Sequence, residues 1–455
     1  MIDSRSELIT QTHSSPDLND LIDWGTEAAF TLPQESEDRV RQSYERLVAH
    51  VNSGEGKIYG IHTGFGSDVT AKAVTDWKEH QFALHRYLQV GVGKPLPISV
   101  VRRALRLQAF KSSLGFSGIH PETFNQLLVL SQAENLPQVP SYGSLGASGD
   151  LVTMAHAVAP LFQNKDDVRG PRDVLTLVNT NAVMASYGVE LFSSANKFLL
   201  EAIRLVAMSS YAAGYGARHF TESGIDLPHQ CPQVSYVSKK LVEFIAEFER
   251  TEIEKPIPGA GQEQARYSLR CSPNVLGGAL WSFKHAGERI QLEALRVADN
   301  PIVLENEIWH GGHFYALGIA QSADLMADGI FRICEMLDRQ VLIFMSPDLN
   351  NGLPRNLEVS GQSHLKGIHQ LMSSLLQQLK TQQMPSRMLS FSCEGNNQDI
   401  VPCGMAALNS LSQQLDLASE MLRAASFVFE RGFHLRRNEK MPQSLHLCSW
   451  SSYAP

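Results

Sequence analysis

The most distinctive chemical feature of this sequence is a cluster of very small residues in the segment QVPSYGSLGASGDLVTM (138–154). Its centre, Gly143–Asp150, holds six very small residues in eight positions. Glycine-rich loops can cradle phosphates, but the GxxxxGK[ST] pattern is absent, and no strand-to-helix context or downstream acidic partner supports a dinucleotide site. The spacing alone is typical of a tight turn before a helix.

The octet as a whole resembles the signature of the aromatic amino-acid ammonia-lyase and aminomutase family, which includes histidine, phenylalanine and tyrosine ammonia-lyases. In that family an Ala-Ser-Gly triplet cyclises into 4-methylidene-imidazol-5-one (MIO), and the triplet maps onto Ala147, Ser148 and Gly149. The amide nitrogen of Gly149 has to reach the carbonyl carbon of Ala147, and side chains at the ends would obstruct this strained approach. Ser148 then loses its hydroxyl. The resemblance therefore implies an electrophile formed autocatalytically, with no external cofactor.

Five further segments resemble motifs of the same family and occur in the family's order. They read KIYGIHTGFGSDV (57–69), LTLVNTNA (175–182), YSLRCSPNV (267–275), DNP (299–301) and SCEGNNQD (392–399). The residues that these motifs assign to the site are Tyr59, Asn179, Tyr267, Arg270, Asn300, Glu394, Asn397 and Gln398. A chance coincidence of all these segments is very improbable.

The resemblance implies covalent and general-base catalysis for removing ammonia across the α and β carbons of an amino acid. Tyr59 is the candidate base. Because an ordinary tyrosine has a pKa of about 10, a base at neutral pH needs positive charge or helix N-termini nearby. Arg270 is the candidate that binds the substrate carboxylate through two parallel hydrogen bonds. Asn179 is expected to hold the covalent adduct or the substrate carboxylate through side-chain hydrogen bonds, and Tyr267 to support MIO formation or proton handling.

The remaining site residues are assigned to substrate binding. Asn300 carries this role through its motif, and Asn397 and Gln398 are expected to line the amine side of the pocket. Glu394 is either a carboxylate of the site or a structural partner, and both readings stay open.

Tyr87 and Leu88, in LHRYLQVGVG, map onto the positions that select the substrate side chain in this family. Histidine-specific members resemble Ser-His there, tyrosine-specific members His-Leu and phenylalanine-specific members Phe-Leu. Leu88 argues against an imidazole, and the Tyr87 hydroxyl can meet a para-hydroxyl group. Tyrosine is therefore slightly preferred, and phenylalanine stays open.

Long helices are the elements that must position these residues. Apolar or small residues recur at alternating steps of four and three over 275–297, and the pattern returns over 365–379 and 408–425. Shorter helices are predicted over Val101–Leu114 and Pro121–Ala133, while period-2 strands are scarce. The pattern predicts a mainly α fold built as a bundle of long helices. The resemblance adds an ammonia-lyase or fumarase-aspartase-like architecture with a smaller N-terminal MIO-bearing region.

Four regions are expected along the chain. They are a polar lead-in (1–36), an N-terminal region with the catalytic loop and the triplet (37–190), a helical bundle (191–430) and an irregular tail (431–455).

The composition excludes several classes of protein. Of 455 residues, 43% are hydrophobic and 19% are charged, and the net charge is −8, which excludes a disordered acidic chain and a basic nucleic-acid binder. No leader pattern and no apolar run of about 18 residues occurs, and the six cysteines form no CxxC pair, so a soluble cytoplasmic protein is expected. The low charged fraction hints at surface that faces other subunits, and the resemblance implies a homotetramer whose sites take residues from several subunits.

Some positions depart from the family pattern. Thr180 and Leu295 replace a glycine and an asparagine, His313-Phe314-Tyr315 replaces Asn-Phe-His, and 357–365 lacks a Gly-Leu-Asn-Ser-Gly-Phe motif. They leave open an unusual substrate, such as a modified or carrier-bound aromatic amino acid. A metal site at His310-Gly311-Gly312-His313 is not expected, because two glycines give a loop and no third ligand is in evidence.

The sequence therefore predicts a carbon–nitrogen lyase. Its reaction is the non-oxidative deamination of an aromatic L-amino acid, tyrosine or phenylalanine or a derivative, to the arylacrylate and ammonia. An MIO-dependent 2,3-aminomutase and a catalytically silent helical scaffold are the alternatives.

Overall fold

Helices make up most of the backbone in the computed structural model, which describes residues 16–26, 29–54, 56–70, 76–249, 264–359 and 364–453. The helices are α1 (Leu18–Asp23), α2 (Ser36–Ser53), α3 (Trp77–Leu88), α4 (Ile98–Ser113), α5 (Pro121–Ser131), α6 (Val152–Ala157), α7 (Asp173–Val178), α8 (Ala182–Ala212), α9 (Glu222–His229), α10 (Pro232–Glu249), α11 (Tyr267–Arg270), α12 (Ser272–Leu295), α13 (Leu317–Phe344), α14 (Lys366–Thr381) and α15 (Gly404–Arg436). The strands are β1 (Val92–Pro95), β2 (Pro140–Tyr142), β3 (Ile302–Val303) and β4 (Ile308–Trp309). The predicted mainly α class is confirmed.

The chain divides into two compact units, each made of three stretches. Unit 1 consists of Met1–Leu191, Gly287–Ala323 and Pro385–Asn409, and unit 2 of Phe192–Ala286, Asp324–Met384 and Ser410–Pro455. The triplet loop and the DNP and SCEGNNQD motifs therefore share unit 1, although they are far apart in sequence.

Helix α4 passes through the interior of unit 1. Of its 16 residues, 13 are buried, and it packs against α2 and α5. The buried set includes cations, which need hydrogen-bond partners in a low-dielectric interior. Arg103 finds them in the Leu21 carbonyl at 2.6 Å and the Glu190 carboxylate at 3.1 Å.

Two short antiparallel ladders complete unit 1. Strand β1 pairs with β2, with Val92 opposite Tyr142, and β3 pairs with β4, with Ile302 opposite Trp309. The β1–β2 ladder leads into the triplet loop, and the β3–β4 ladder follows the DNP motif. Both ladders therefore fix the ends of segments that carry candidate site residues.

Aromatic side chains fill part of the interior of unit 2. The rings of Tyr211, Phe248 and Phe433 lie with their centroids 5.3 to 6.3 Å apart, and those of Phe344 and Phe429 are 5.3 Å apart. Such tilted and edge-to-face pairs stabilise a helical core beyond the area that they bury. Among the described residues, no helix combines the length and apolar character needed to span a membrane.

The periodicity of apolar residues predicted where helices occur, but not where they begin and end. The predicted helix over 408–425 is the middle of α15, which begins at Gly404 and continues to Arg436. The pattern fades because Phe427, Val428 and Phe429 are all fully buried, so no polar face marks this part of the helix.

The stretch expected to be an irregular tail begins with the end of α15. It continues with 3-10 helices at Gln443–Leu445 and Leu447–Ser452. Parts of the predicted lead-in (1–15 and 27–28), of the divergent stretch (360–363) and of the tail (454–455) lie outside the described residues.

Candidate active site

The triplet Ala147–Gly149 lies in the loop between β2 and α6. Gly149 has φ +80°, and a Cβ at this position would lie 2.2 Å from the Thr180 carbonyl oxygen and 2.7 Å from the Thr180 nitrogen. Because both obstacles are backbone atoms, no side chain fits here. The need for glycine at the end of the triplet therefore has a steric cause in the fold.

Side-chain amides from two distant segments bind Ser148. Asn179 Nδ2 donates to the Ser148 carbonyl oxygen at 2.7 Å, and Gln398 Nε2 donates to Ser148 Oγ at 3.0 Å. Ser144 Oγ donates to the Gly149 carbonyl oxygen at 3.2 Å. The carbonyl and hydroxyl of the central residue are thus both held in place.

Asp150, the residue after the triplet, joins this loop to the start of α8. Its carboxylate accepts hydrogen bonds from the backbone N–H of Val183 at 2.5 Å and of Met184 at 3.1 Å. Burial raises the pKa of Asp150 to about 7, while these donors and the charge of Lys111 act in the opposite direction. A carboxylate at a helix N-terminus satisfies backbone donors that would otherwise be unpaired.

The predicted base, Tyr59, lies on the glycine-rich loop. Its hydroxyl accepts a hydrogen bond from Gly66 N–H at 2.7 Å, and its backbone N–H donates to His310 Nε2 at 3.1 Å. Burial and the charge of Glu394 raise the pKa of Tyr59, and the Gly66 hydrogen bond lowers it. None of these three influences is a cation, and the cation that lines the same cavity as Tyr59 is Lys57.

The loop 393–398 presents one carboxylate and two amides. Glu394, at φ 52°, accepts hydrogen bonds through Oε2 from Asn397 Nδ2 at 3.1 Å and from Gln398 Nε2 at 2.9 Å. Backbone hydrogen bonds between Cys393 and Gln398 close the loop at 3.0 and 3.3 Å. Glu394 therefore orients both amides, and its carboxylate also lies against Gly66, where a Cβ would contact Oε1.

One cavity of about 910 Å³ in unit 1 connects most of these groups. Its volume is suited to a small organic ligand. The predicted site residues that line it are Tyr59, Tyr87, Leu88, Ala147, Ser148, Asn179, Asn300, Glu394, Asn397 and Gln398. Asn300 Oδ1 also accepts a hydrogen bond from Gly311 N–H at 2.8 Å, so this side chain positions the 310–311 turn as well.

The two predicted selectivity residues form part of the same wall. Tyr87 and Leu88 line the cavity together with the apolar Leu84 and Val69. Burial, together with the charges of Tyr59, Glu394 and Asp68, raises the pKa of Tyr87, so its hydroxyl stays neutral and can both donate and accept a hydrogen bond.

Tyr267 and Arg270 are not among the residues that line this cavity. They belong to unit 2, where they line a separate cavity of about 560 Å³ with Gln264, Ala265 and Arg266. The Arg270 guanidinium lies 4.6 Å from the centroid of the Tyr267 ring and donates to Gln264 Oε1 at 2.6 Å. Tyr267 is 72% exposed.

The comparison with known families decides what kind of protein this is. The sequence model described as "Aromatic amino acid lyase" matches residues 17–170 and 167–449. The chain belongs to the aromatic amino acid lyase family. The resemblance drawn from the motifs is confirmed.

Known proteins similar to this aromatic amino acid lyase family member include two that are named histidine ammonia-lyase. The one from Deinococcus radiodurans is 30% identical over 423 residues, which cover 85% of this chain and 78% of that protein. The one from Geobacillus sp. (strain WCH70) is 29% identical over 429 residues, 88% of this chain and 82% of that protein. Among solved structures, the phenylalanine aminomutase of Pantoea agglomerans superimposes with a TM-score of 0.81 at 22% identity, over 96% of this chain and 98% of that one. This likeness confirms the fold.

The residues of this aromatic amino acid lyase family member fit the MIO group. Gly149 has no side chain to obstruct ring closure. Asn179 binds the Ser148 carbonyl, which would be conjugated with the new double bond, and Gln398 binds the Ser148 hydroxyl, which would leave as water. Among the described residues, no group of three or more His, Cys, Asp and Glu side chains is arranged to hold a metal ion.

Sequence reasoning missed two residues of this lyase-family site. His310 lines the cavity and binds the backbone of Tyr59, and burial and the charge of Arg172 lower its pKa. Asp150 anchors the triplet loop to α8. The signal for Asp150 was its place between the triplet and a helix, whereas nothing in the sequence connects His310 with a tyrosine 251 residues away.

Proposed function

We propose that this protein removes ammonia from an aromatic L-amino acid, tyrosine or phenylalanine or a derivative of one of them, and releases the arylacrylate. The observation that carries the proposal is that a single cavity contains Ser148, Tyr59 and Tyr87. An electrophile precursor, a candidate base and a wall for the aromatic side chain are therefore all exposed to one bound molecule.

The triplet supplies the electrophilic part of the chemistry. MIO formed from Ala147–Gly149 provides a methylidene carbon that activates the substrate's amino group as a leaving group. Asn179 Nδ2, which donates to the Ser148 carbonyl oxygen at 2.7 Å, draws electron density away from the atoms conjugated with that carbon. Gln398 and Asn397 line the same side of the cavity and offer hydrogen bonds to the amine.

Tyr59 takes the β-proton in this proposal. Its hydroxyl already accepts the Gly66 N–H, a hydrogen bond that favours the phenolate. Since burial and Glu394 raise the pKa of Tyr59, the phenolate needs a cation close to it in addition to the Gly66 hydrogen bond. In a homotetramer, Arg270 of a neighbouring subunit supplies it and binds the substrate carboxylate.

Two observations support a neighbouring subunit as the source of Arg270. Arg270 and Tyr267 belong to unit 2 and are not among the residues that line the cavity, and Tyr267 is 72% exposed. Within the described ranges no carboxylate pairs with the Arg270 guanidinium, and its Nε is buried without a hydrogen-bond partner. A guanidinium with unused donors is suited to a carboxylate ligand.

Asn179 provides a polar group for the other end of the substrate. Its Oδ1 is buried and has no hydrogen-bond partner among the described residues, while its Nδ2 is occupied by Ser148. A buried acceptor without a partner destabilises the protein unless a ligand satisfies it. The substrate's ammonium group is a donor of the right kind.

The apolar wall favours a carbocyclic side chain over an imidazole. Leu84 and Leu88 offer no hydrogen bond to ring nitrogens, and the neutral Tyr87 hydroxyl can pair with a para-hydroxyl. Histidine remains the necessary comparison, because the sequence relatives carry the name histidine ammonia-lyase.

The decisive test is incubation of the purified protein with tyrosine, phenylalanine and histidine in separate reactions. Ultraviolet detection follows the unsaturated acid, and chromatography separates it from any β-amino acid. We expect the arylacrylate of tyrosine, with phenylalanine second, and no product from histidine. A β-amino acid as the main product would make the protein an aminomutase, and urocanate as the main product would overturn the assigned substrate class.

A further inference from the structure

A buried lysine contacts the segment that packs against the triplet, and it has no role in the catalysis proposed above. Lys111 of α4 is 5% exposed, and it is the one buried lysine among those that the structure describes. Its ammonium group donates to Asn181 Oδ1 and, at 3.1 Å, to the backbone oxygen of Glu293. A buried cation is costly to keep, so a specific role is worth seeking.

The lysine fixes the side chain of Asn181. Lys111 binds its oxygen, and its Nδ2 donates to the Glu293 backbone oxygen at 3.3 Å and to Glu293 Oε2 at 3.1 Å. The amide cannot turn over, because its NH₂ group would then face the ammonium. Both polar atoms of the Asn181 amide are therefore held, the oxygen by Lys111 of α4 and the nitrogen by Glu293 of α12.

Asn181 ends the short segment Val178–Asn181 that forms the wall behind the triplet. Asp150 N–H donates to the Thr180 oxygen at 2.5 Å, and Leu151 N–H donates to the Val178 oxygen at 3.0 Å. The Thr180 backbone lies so close to Gly149 that a Cβ there would be 2.2 Å from its oxygen. The position of this wall decides how closely the Gly149 amide can approach the Ala147 carbonyl.

The electrostatic setting explains why a lysine is tolerated here. Burial and the charge of Arg296 lower the pKa of Lys111 to about 7, while Asp150, Glu293 and Asp299 act in the opposite direction. The charges of three carboxyl groups of unit 1 therefore offset part of the desolvation cost of the ammonium.

We infer that Lys111 is a positioning residue for ring closure in the Ala147–Gly149 triplet, acting through Asn181 on the Val178–Asn181 wall. This inference rests on the proposed function, because it assumes that the ring forms. In that step the Gly149 nitrogen bonds to the Ala147 carbonyl carbon, and the carbonyl oxygen leaves as water with the N–H hydrogens of Gly149 and Ser148. A double bond between the Ala147 carbon and the Ser148 nitrogen remains. The Ser148 hydroxyl leaves with the Cα proton as a second water, and no oxidant is needed.

The test follows the loss of two waters by intact-mass spectrometry at intervals after synthesis in a cell-free translation. Lys111→Met removes the ammonium group but keeps an unbranched side chain that is one atom shorter. Arg106→Met is the matched control, because Arg106 is also buried on α4 and its hydrogen bonds go to the carbonyls of Trp24 and Thr26. Melting temperatures measure the structural cost of each change.

We expect wild-type and Arg106→Met chains to lose two waters at similar rates and Lys111→Met chains to do so about a hundredfold more slowly, since a displacement of about 1 Å at reacting atoms costs that much. Asn181→Leu should slow the reaction equally, and the double variant should be no slower than either single one. Should Lys111→Met not fold, Asn181→Leu decides the question.

Equal rates for Lys111→Met and Arg106→Met would overturn the inference, whatever their melting temperatures. A double variant that is slower by the product of the two single effects would also overturn the route through Asn181. If wild-type chains keep their full mass, the proposed function itself fails. That failure is visible before any variant is made.

Discussion

The loop that carries the triplet and the segment that carries Tyr267 and Arg270 are surrounded in opposite ways. The triplet is enclosed by the Val178–Asn181 wall and by Gln398, and Ala147 is 4% exposed. Tyr267 is 72% exposed, and Arg270 donates only to the amide of Gln264 among the described residues. The frame of the triplet is thus built from residues of unit 1, while the proposed carboxylate clamp has Gln264 as its hydrogen-bond partner among the described residues.

Gly149→Ala should prevent ring formation in the enclosed triplet, and we expect it to lower turnover more than Arg270→Met or Glu394→Gln does. The new Cβ would lie 2.2 Å from a backbone oxygen, at a φ of +80° that other residues rarely adopt. We expect no loss of water from the chain and at least about a thousandfold lower turnover. Intact mass and initial rates measure both.

Gly367→Ala is the matched control for that variant, since a Cβ at Gly367 of α14 meets nothing within 4 Å. Its mass loss and turnover should equal those of the wild type, and the free energy of unfolding should change by no more than about 1 kcal/mol. Normal ring formation in Gly149→Ala would contradict the steric account of the triplet.

Arg270→Met should impair the proposed carboxylate clamp and leave the triplet intact. We expect the mass loss and the melting temperature to be unchanged and kcat/KM to fall at least about a hundredfold. KM should rise because the carboxylate clamp is lost, and kcat should fall because the Tyr59 phenolate loses a stabilising cation. The exposed Arg332→Met, which removes surface ion pairs of α13, should change kcat/KM less than about twofold.

Two outcomes would change the role assigned to Arg270. If Arg270→Met failed to lose two waters, Arg270 would belong to the frame of the triplet. If its kcat/KM were unchanged, Arg270 would not be part of the site.

Glu394→Gln should have the smallest effect of these variants, because glutamine keeps an oxygen that can accept hydrogen bonds from Asn397 and Gln398. The Glu394 charge raises the pKa of Tyr59, so its removal lowers that pKa. Since the deprotonated form is the base, the acidic limb of the kcat/KM profile should move to lower pH by up to about one unit.

Glu420→Gln, which removes an exposed ion pair with Arg423, should leave that pH profile in place. A shift of the Glu394→Gln profile to higher pH would contradict the assignment of Tyr59 as the base.

The sequence predicted those elements whose two faces differ in polarity. The stripes over 275–297 and 365–379 correspond to α12 and α14, which have a buried and an exposed side. The 31-residue α8 was not predicted, because its first half is buried almost all round and shows no amphipathic stripe.

Among the candidate site residues, the motifs identified those that line the cavity, but not the polar contacts that hold them. The hydrogen bond between Lys111 and the Glu293 backbone joins residues 182 positions apart, and the one between Gln398 and Ser148 spans 250. Neither motif spacing nor periodicity carries information about such pairs. The same limit applies to Arg270, for which we propose a place in the site of a second copy of the chain.

Closure of Ala147–Gly149 into a ring is measured by the mass of the proteolytic peptide that contains Gly143–Asp150. We expect this peptide from the wild-type protein to be lighter than its sequence by two waters, and the Ser148→Ala peptide to have its full mass in a protein without turnover. A wild-type peptide of full mass from protein that deaminates tyrosine or phenylalanine would show that the reaction does not need the ring.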